Sequence, residues 1–414
     1  MMVSQINIKF LNSSKVYFLL NSTYYLIQLT TFFFISSIAA PSDIGISSYV
    51  ISLAGIFAVT ARYGMPVYLI ESIDENSSRL IEYYKNATAF SFTFSIFMIP
   101  VSFLLILFNN LNSEFILLML LGTVLMIIFN PISMIIEQFI ILNKQTEYLS
   151  LNSLLKSFLF PITAYFSYKI SGNFAATLIF ANLSILLSPI IVYSIFERRL
   201  IKISFNFISF NNFLLLLKQA FPYFINSLAL ILILSIDKIF VGNIFSVDIL
   251  GSYDLMWKLA ILIDFLVMQP LNAIFSRDIL NLSNRFGHQL SLTITFLTIF
   301  IVLLINNINY DFILPLWNVF FDNYEFNKNI FQLAISFFVL MFAVNQLRNL
   351  MANLKLRLMC TISSCIIPMP LILTASIIDI NLLSFIPKLV IIGVCLSLAF
   401  NLTVYNYIYF YKKT

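Results

Sequence analysis

The chain has 414 residues, of which 60% are hydrophobic and only 10% charged, with 45 Phe and 20 Tyr and a mean hydropathy of +0.96. A soluble domain carries about 25% charged residues, and no single water-exposed core could hide this much apolar surface. A soluble enzyme, a disordered chain and a nucleic-acid-binding module are excluded, which leaves a polytopic all-α membrane protein. The net charge is +5, and the placement of the charges matters more than their sum.

A bilayer span needs about 20 apolar residues. Apolar stretches bounded by charges or Asn/Ser clusters predict about twelve spans, near 16–39, 44–70, 87–108, 115–141, 151–168, 175–196, 219–244, 250–275, 290–310, 329–351, 359–378 and 384–408. The first run is longer than a signal-peptide core of about 7–15 residues and reads as an uncleaved span. The long continuous runs exclude membrane strands, which alternate over about ten residues. Cys360, Cys365 and Cys395 fall in late apolar runs as small hydrophobes, without metal or disulfide spacing. His288 stands beside Arg285 in a polar connector and reads as a solvated loop residue.

Fifteen of the 23 basic residues fall in loops on the N-terminal side, among them Arg79, Lys85, Arg198 and Arg199, against Lys169, Lys328 and Lys388 on the other. By the positive-inside rule both termini are cytoplasmic. The closing Tyr405, Tyr407, Tyr409, Tyr411, Lys412 and Lys413 read as an interfacial aromatic belt with a basic anchor.

The chain also reads as duplicated. PSDIGISSYVISLAGIFA from Pro41 is echoed by SVDILGSYDLMWKLAILI from Ser246, with Gly45 and Gly251 206 residues apart. Six spans per half, each running from cytoplasm to cytoplasm, make a parallel repeat about an axis along the membrane normal. The expected architecture is two six-helix lobes, residues 1–200 and 219–414, around a central cavity, joined by a basic cytoplasmic linker over 201–218. Prolines punctuate many spans, including Pro66, Pro100, Pro131, Pro161, Pro189 and Pro222. Membrane helices tolerate them where neighbours re-satisfy the freed carbonyl.

Placing Asp, Lys or Arg at the centre of a membrane helix costs roughly 2.5–3.5 kcal/mol, so such groups face a cavity or a partner. The candidates are Arg62, Glu137, Lys156, Asp237, Lys238, Asp254, Lys258, Asp264 and Arg348. Arg62, Glu137, Lys156 and Arg348 can alternatively reach headgroups by snorkelling, and Asp254 and Lys258 can neutralise each other at i,i+4. Asp237 and Lys238 are adjacent, about 100° apart on a helix, so at least one requires a partner on another helix. Asp264 is an ion-coupling candidate near mid-span. Five basic groups oppose four acids, which suits an anionic phosphate or diphosphate headgroup better than a cationic drug. Polar residues such as Asn21, Asn130, Asn182 and Asn226 serve equally as interhelical glue or as a sugar-compatible lining. No catalytic, nucleotide-binding, cofactor-binding or metal-ligating pattern is present, so energy for transport must come from an ion gradient, substrate supply or a partner.

The segments SDIGISSYVISLAGIFAVTARYGMP, PYFINSLALILILSIDKIFVGNIFSVDILGSYDLMWKLA and DFILPLWNVFFDNYEFNKN resemble bacterial O-antigen and polysaccharide flippases of the multidrug/oligosaccharidyl-lipid/polysaccharide exporter superfamily. The resemblance implies twelve helices in two lobes and an undecaprenyl-diphosphate-linked glycan as substrate, flipped across the bacterial inner membrane. It further implies alternating access coupled to a proton or sodium ion. Membrane lipid, a polysaccharide polymerase and a chain-length regulator are the implied partners. Arg62, Lys156, Lys238, Lys258 and Arg348 then become substrate ligands, and Asp237, Asp264 and Glu137 ion-coupling groups. A multidrug or metabolite exporter of the same superfamily is the alternative.

Overall fold

The computed structural model describes residues 14–72, 80–107, 113–143, 145–196, 210–263, 293–294, 296–298, 300–305, 307, 310, 313–332 and 334–339. Asp264, Arg348, His288, the three cysteines, the last two spans and residues 201–209 of the linker lie outside them. The described residues are almost entirely helical, and no strand occurs among them. In chain order the helices are α1 (Ser14–Ile38), α2 (Pro41–Arg62), α3 (Met65–Ser72), α4 (Leu80–Leu107), α5 (Ser113–Leu142), α6 (Thr146–Ser171), α7 (Phe174–Phe196), α8 (Phe210–Ile244) and α9 (Val247–Ile263). A short helix, Ile313–Phe320, follows. Five helices among the described residues are long and apolar enough to cross a membrane: Val16–Ile38, Pro41–Arg62, Glu82–Leu104, Ile116–Leu142 and Phe174–Ile195.

Local chemistry sets the ends. Gly172 closes α6 in the left-handed conformation at φ 63, and its N–H bonds the Tyr168 carbonyl. The next residue, Asn173, opens α7 by accepting the Ala176 N–H at 3.0 Å. A two-residue turn therefore joins the helices, with a glycine stop followed by an asparagine start. Ser246 likewise accepts the Ile249 N–H at the start of α9, and Pro41 opens α2, where its missing donor costs nothing.

The predicted span 44–70 is not one helix. Tyr63 (φ 49) and Gly64 (φ 70) both take left-handed backbone and separate α2 from α3. Pro66 consequently sits in the first turn of α3, not within a span. The Tyr63 ring stacks on Phe224 at 4.4 Å and 8°, and a Cβ at Gly64 would collide with the backbone of Tyr223 and Phe224. A tertiary contact holds the break. Helix α4 begins at Leu80, ahead of the predicted 87, and α8 at Phe210, ahead of 219; both helices continue past the apolar run through Glu82, Lys85 and Lys218.

The chain divides into two compact units. The first holds α1, α2 from Ile46, α3 to α7, and α8 as far as Ile231. Its helices pack in the order α1, α6, α7, α5, α4, with α3 against α4 and α5. Phe57 and Ala61 of α2 meet Ile127 of α5 in its core. Pro131 cannot donate to the Ile127 carbonyl one turn earlier; the Ser95 hydroxyl of α4 lies 3.0 Å from that carbonyl and 2.8 Å from the Ser91 carbonyl of its own helix, and shares its one proton between them. The second unit holds Ala40–Gly45, α8 from Leu232, α9 and the later segments. There the first turns of α2 and α9 touch through glycines: a Cβ on Gly45 would land on the Val247 carbonyl.

Candidate functional site

Two clusters of buried polar side chains stand out, one in each unit. In the first, Lys156 of α6 pairs with Glu137 of α5. Asn152, one turn before Lys156, donates its Nδ2 to the same Glu137 Oε1 at 2.6 Å, and the Ser188 hydroxyl of α7 donates to Asn152 Oδ1 at 2.5 Å. The Lys156 ammonium also lies 5.9 Å from the Tyr24 ring centre of α1, and Ser153 donates to Asn21 Oδ1 at 3.4 Å. Residues 152, 153 and 156 share one helix face, so a single polar stripe of α6 collects partners from α1, α5 and α7. Lys156 and Glu137 keep 17% and 18% of their side-chain surface exposed. They are sheltered without being sealed.

In the second unit, consecutive residues of α8 meet consecutive residues of α9. The Tyr253 hydroxyl donates to Asp237 Oδ2 at 2.7 Å, and Lys238 Nζ lies 2.6 Å from Asp254 Oδ1. Asp254 also interacts electrostatically with Lys258, one turn along α9. Both adjacent charges of α8 therefore find partners on another helix, where their separation of about 100° required it of at least one. Asp237 Oδ1 is buried with no hydrogen-bond partner among the described residues. The i,i+4 reading of Asp254 with Lys258 covers only part of the cluster, because Asp254 faces lysines on two helices.

Arg62 differs from both clusters. It is the last residue of α2, at the break before Tyr63, where a cation complements the exposed carbonyls of a helix C-terminus. Its Nε is buried without a hydrogen-bond partner among the described residues. Each cluster is neutral when ionised: Glu137 balances Lys156, and Asp237 and Asp254 balance Lys238 and Lys258. Among the described candidates the surplus positive charge is thus that of Arg62.

The structure brings Glu137 to Lys156 and Asp237, Lys238 and Lys258 to one cluster; Asp264 and Arg348 fall outside the described residues. Sequence reasoning missed Tyr253, Asn152 and Ser188 as partners. The adjacency of Asp237 and Lys238 called for a partner on another helix without saying which. Nothing local marks Ser188.

Long apolar helices that pair their buried charges with one another are those of a multi-pass membrane protein. The fold is that of two solved structures. A lipid II flippase, MurJ, in an inward closed conformation shares it with a TM-score of 0.68 at 14% identity, over 95% of this chain and 88% of that one. An inward-facing multidrug resistance MATE family transporter of the MOP superfamily shares it with a TM-score of 0.65 at 14% identity, over 97% and 99%. A search of curated protein sequences gave no match. The polysaccharide biosynthesis protein family matches residues 10–275, more than half of the chain, and the protein belongs to that family.

Proposed function

We propose that the protein is a flippase that moves an undecaprenyl-diphosphate-linked oligosaccharide from the cytoplasmic to the periplasmic leaflet of the bacterial inner membrane. It serves the synthesis of O-antigen or another surface polysaccharide, by alternating access coupled to a proton or sodium ion. Family membership supports the substrate class, and the observation that carries the chemistry is Arg62, a cation with a buried donor that no described side chain satisfies. Desolvating a diphosphate and several sugars in hydrocarbon is prohibitive, so the protein must replace their hydration with its own donors while the polyprenyl tail stays in lipid.

Arg62 is the first diphosphate ligand, because a guanidinium matches paired phosphate oxygens. Lys156, Lys238, Lys258 and Arg348 are further ligands, the first three by exchanging a carboxylate partner for a phosphate. Asp237, through its unpartnered Oδ1, is the principal ion-coupling carboxylate, and Glu137 and Asp264 are further coupling groups. The full chain comprises twelve spans in two six-helix lobes, with both termini cytoplasmic.

The test is a deletion strain complemented with wild type, Arg62→Ala or Arg62→Lys. Wild type restores surface glycan and clears the lipid-linked intermediate; Arg62→Ala reaches the membrane at normal abundance yet does neither, and Arg62→Lys recovers part of the export. Full export by Arg62→Ala removes this side chain from the site. Altered drug sensitivity with unchanged surface glycan in the deletion strain replaces the reading with the multidrug exporter, whose fold the chain shares.

A further inference from the structure

The second unit contains a cavity of about 290 Å³ that is lined by none of the charged residues of either cluster and shares only Tyr253 with the α8–α9 cluster. It lies where the start of α2, the first turns of α9 and the segment after Ile313–Phe320 converge. The sequence placed these three regions on the side opposite the basic loops, and they meet at one opening. The rim is polar: Asp248, Asn323, Glu325 and Asn327. The floor is Ser252, Tyr253, Met256 and Ile330, all buried. Among the described residues no Lys, Arg or His lines it.

The rim is held in place. The Trp317 indole N–H donates to the Tyr324 carbonyl at 2.8 Å, immediately before Glu325. Asn327 donates its backbone N–H to Met256 Sδ at 3.3 Å, while its Oδ1 accepts the N–H groups of Asn329 and Ile330. These bonds hold Asn327, a lining residue of the cavity, in one orientation. Burial raises the affinity of the Tyr324 hydroxyl for its proton, and the Asp43 carboxylate adds to this, so the phenol stays neutral.

Two carboxylates and no cation exclude an anion. A bare metal ion wants about six to eight oxygens at 2.3–2.6 Å, which a space of this size does not supply. Carboxylate acceptors and amide groups around the mouth of the cavity suit a polyhydroxylated ring, whose hydroxyls bridge the rim. We propose that this cavity binds one sugar unit of the transported glycan, with Asp248, Asn323, Glu325 and Asn327 as its hydrogen-bonding partners. The source of the sugar rests on the flippase reading above; the binding chemistry does not. Because the rim is anchored by Trp317 and Asn327, binding orders little, and selectivity follows from which hydroxyls reach the carboxylates.

The full-length protein in lipid nanodiscs is titrated with glucose, galactose and N-acetylglucosamine, and separately with sodium chloride, while the fluorescence of its 2 tryptophans is followed. At least one sugar gives a saturable change near about 1 mM. The Asp248→Asn/Glu325→Gln variant, altered at two exposed rim positions, weakens it by about tenfold. Sodium gives no such change. No saturation with any sugar, equal saturation in the variant, or a response to sodium alone overturns the sugar site. Surface-glycan export by the same variant tests the source: slowed or sugar-selective export supports a cargo subsite, and unchanged export alongside lost sugar binding overturns it. Failure of the wild type itself to export glycan counts against the flippase reading and leaves the binding result to be judged alone.

Discussion

Gly45 and Gly251 face each other's helices reciprocally. Gly45 lies against the carbonyl of Val247, four residues before Gly251, and Gly251 lies against the carbonyl of Pro41, four residues before Gly45. The two strings that echo each other in the sequence therefore touch through equivalent atoms, as a local two-fold requires. At each crossing a side chain would strike backbone, which cannot swing aside, and close helix approach of this kind is what small residues permit.

The first prediction follows from that symmetry. Gly45→Ala and Gly251→Ala should each destabilise the protein by about 1–3 kcal/mol or more, the cost of overpacking, and by similar amounts. Thermal unfolding of the purified variants measures this. Indifference at either position would mean the helices separate freely there.

Ser95 and Pro131 form a second testable pair. Ser95→Ala should cost about 0.6 kcal/mol, the average for interhelical hydrogen bonds in membranes, because it removes the hydroxyl that reaches the Ile127 carbonyl. In a Pro131→Ala background the helix supplies its own donor, and the same substitution should cost almost nothing. A double-mutant cycle on thermal stability gives the coupling; additive effects would show that the serine contributes nothing to the proline kink.

The ion pairs should differ in strength. Asp254 retains 3% of its side-chain surface and Glu137 18%. Lys238→Met leaves two buried carboxylates, Asp237 and Asp254, with Lys258 as their remaining lysine, and should cost about 3 kcal/mol, more than Lys156→Met, where water still reaches the survivor. Lys156→Met/Glu137→Gln should recover most of the loss of its single variant. Equal losses at Lys238 and Lys156 would contradict the burial argument.

Asp237→Asn retains a side-chain oxygen to accept from the Tyr253 hydroxyl and removes the charge. Reconstituted in liposomes, this variant should flip a lipid-linked glycan at a rate indifferent to an imposed proton or sodium gradient, whereas wild type responds to one of them. Unaltered gradient dependence would remove Asp237 from coupling.

Helix existence was legible because apolar runs longer than 20 residues have few alternatives. Helix ends were not. Glu82, Lys85 and Lys218 read as loop residues because they are charged, yet a helix does not stop where its apolar stretch does. The α2–α3 break was missed for a different reason: the stretch from 44 to 70 is long enough to read as one span despite Arg62, Gly64 and Pro66, and the left-handed Tyr63 stacks on Phe224, far away in sequence. The charged residues were found by their cost in lipid, which is a local property. Their partners, Tyr253 for Asp237 and Asp254 for Lys238, depend on which helices pair, and residue spacing does not encode that.

The α8–α9 cluster also bears on how the chain is made. Only Phe245 and Ser246 separate the two helices, and each alone would offer the translocon a segment with a bare acid and a bare lysine. Paired, Asp237 with Tyr253 and Lys238 with Asp254 mask one another before either meets an acyl chain. Such helices should leave the insertion channel together as a hairpin, with α8 waiting at the lateral gate until α9 has emerged from the ribosome.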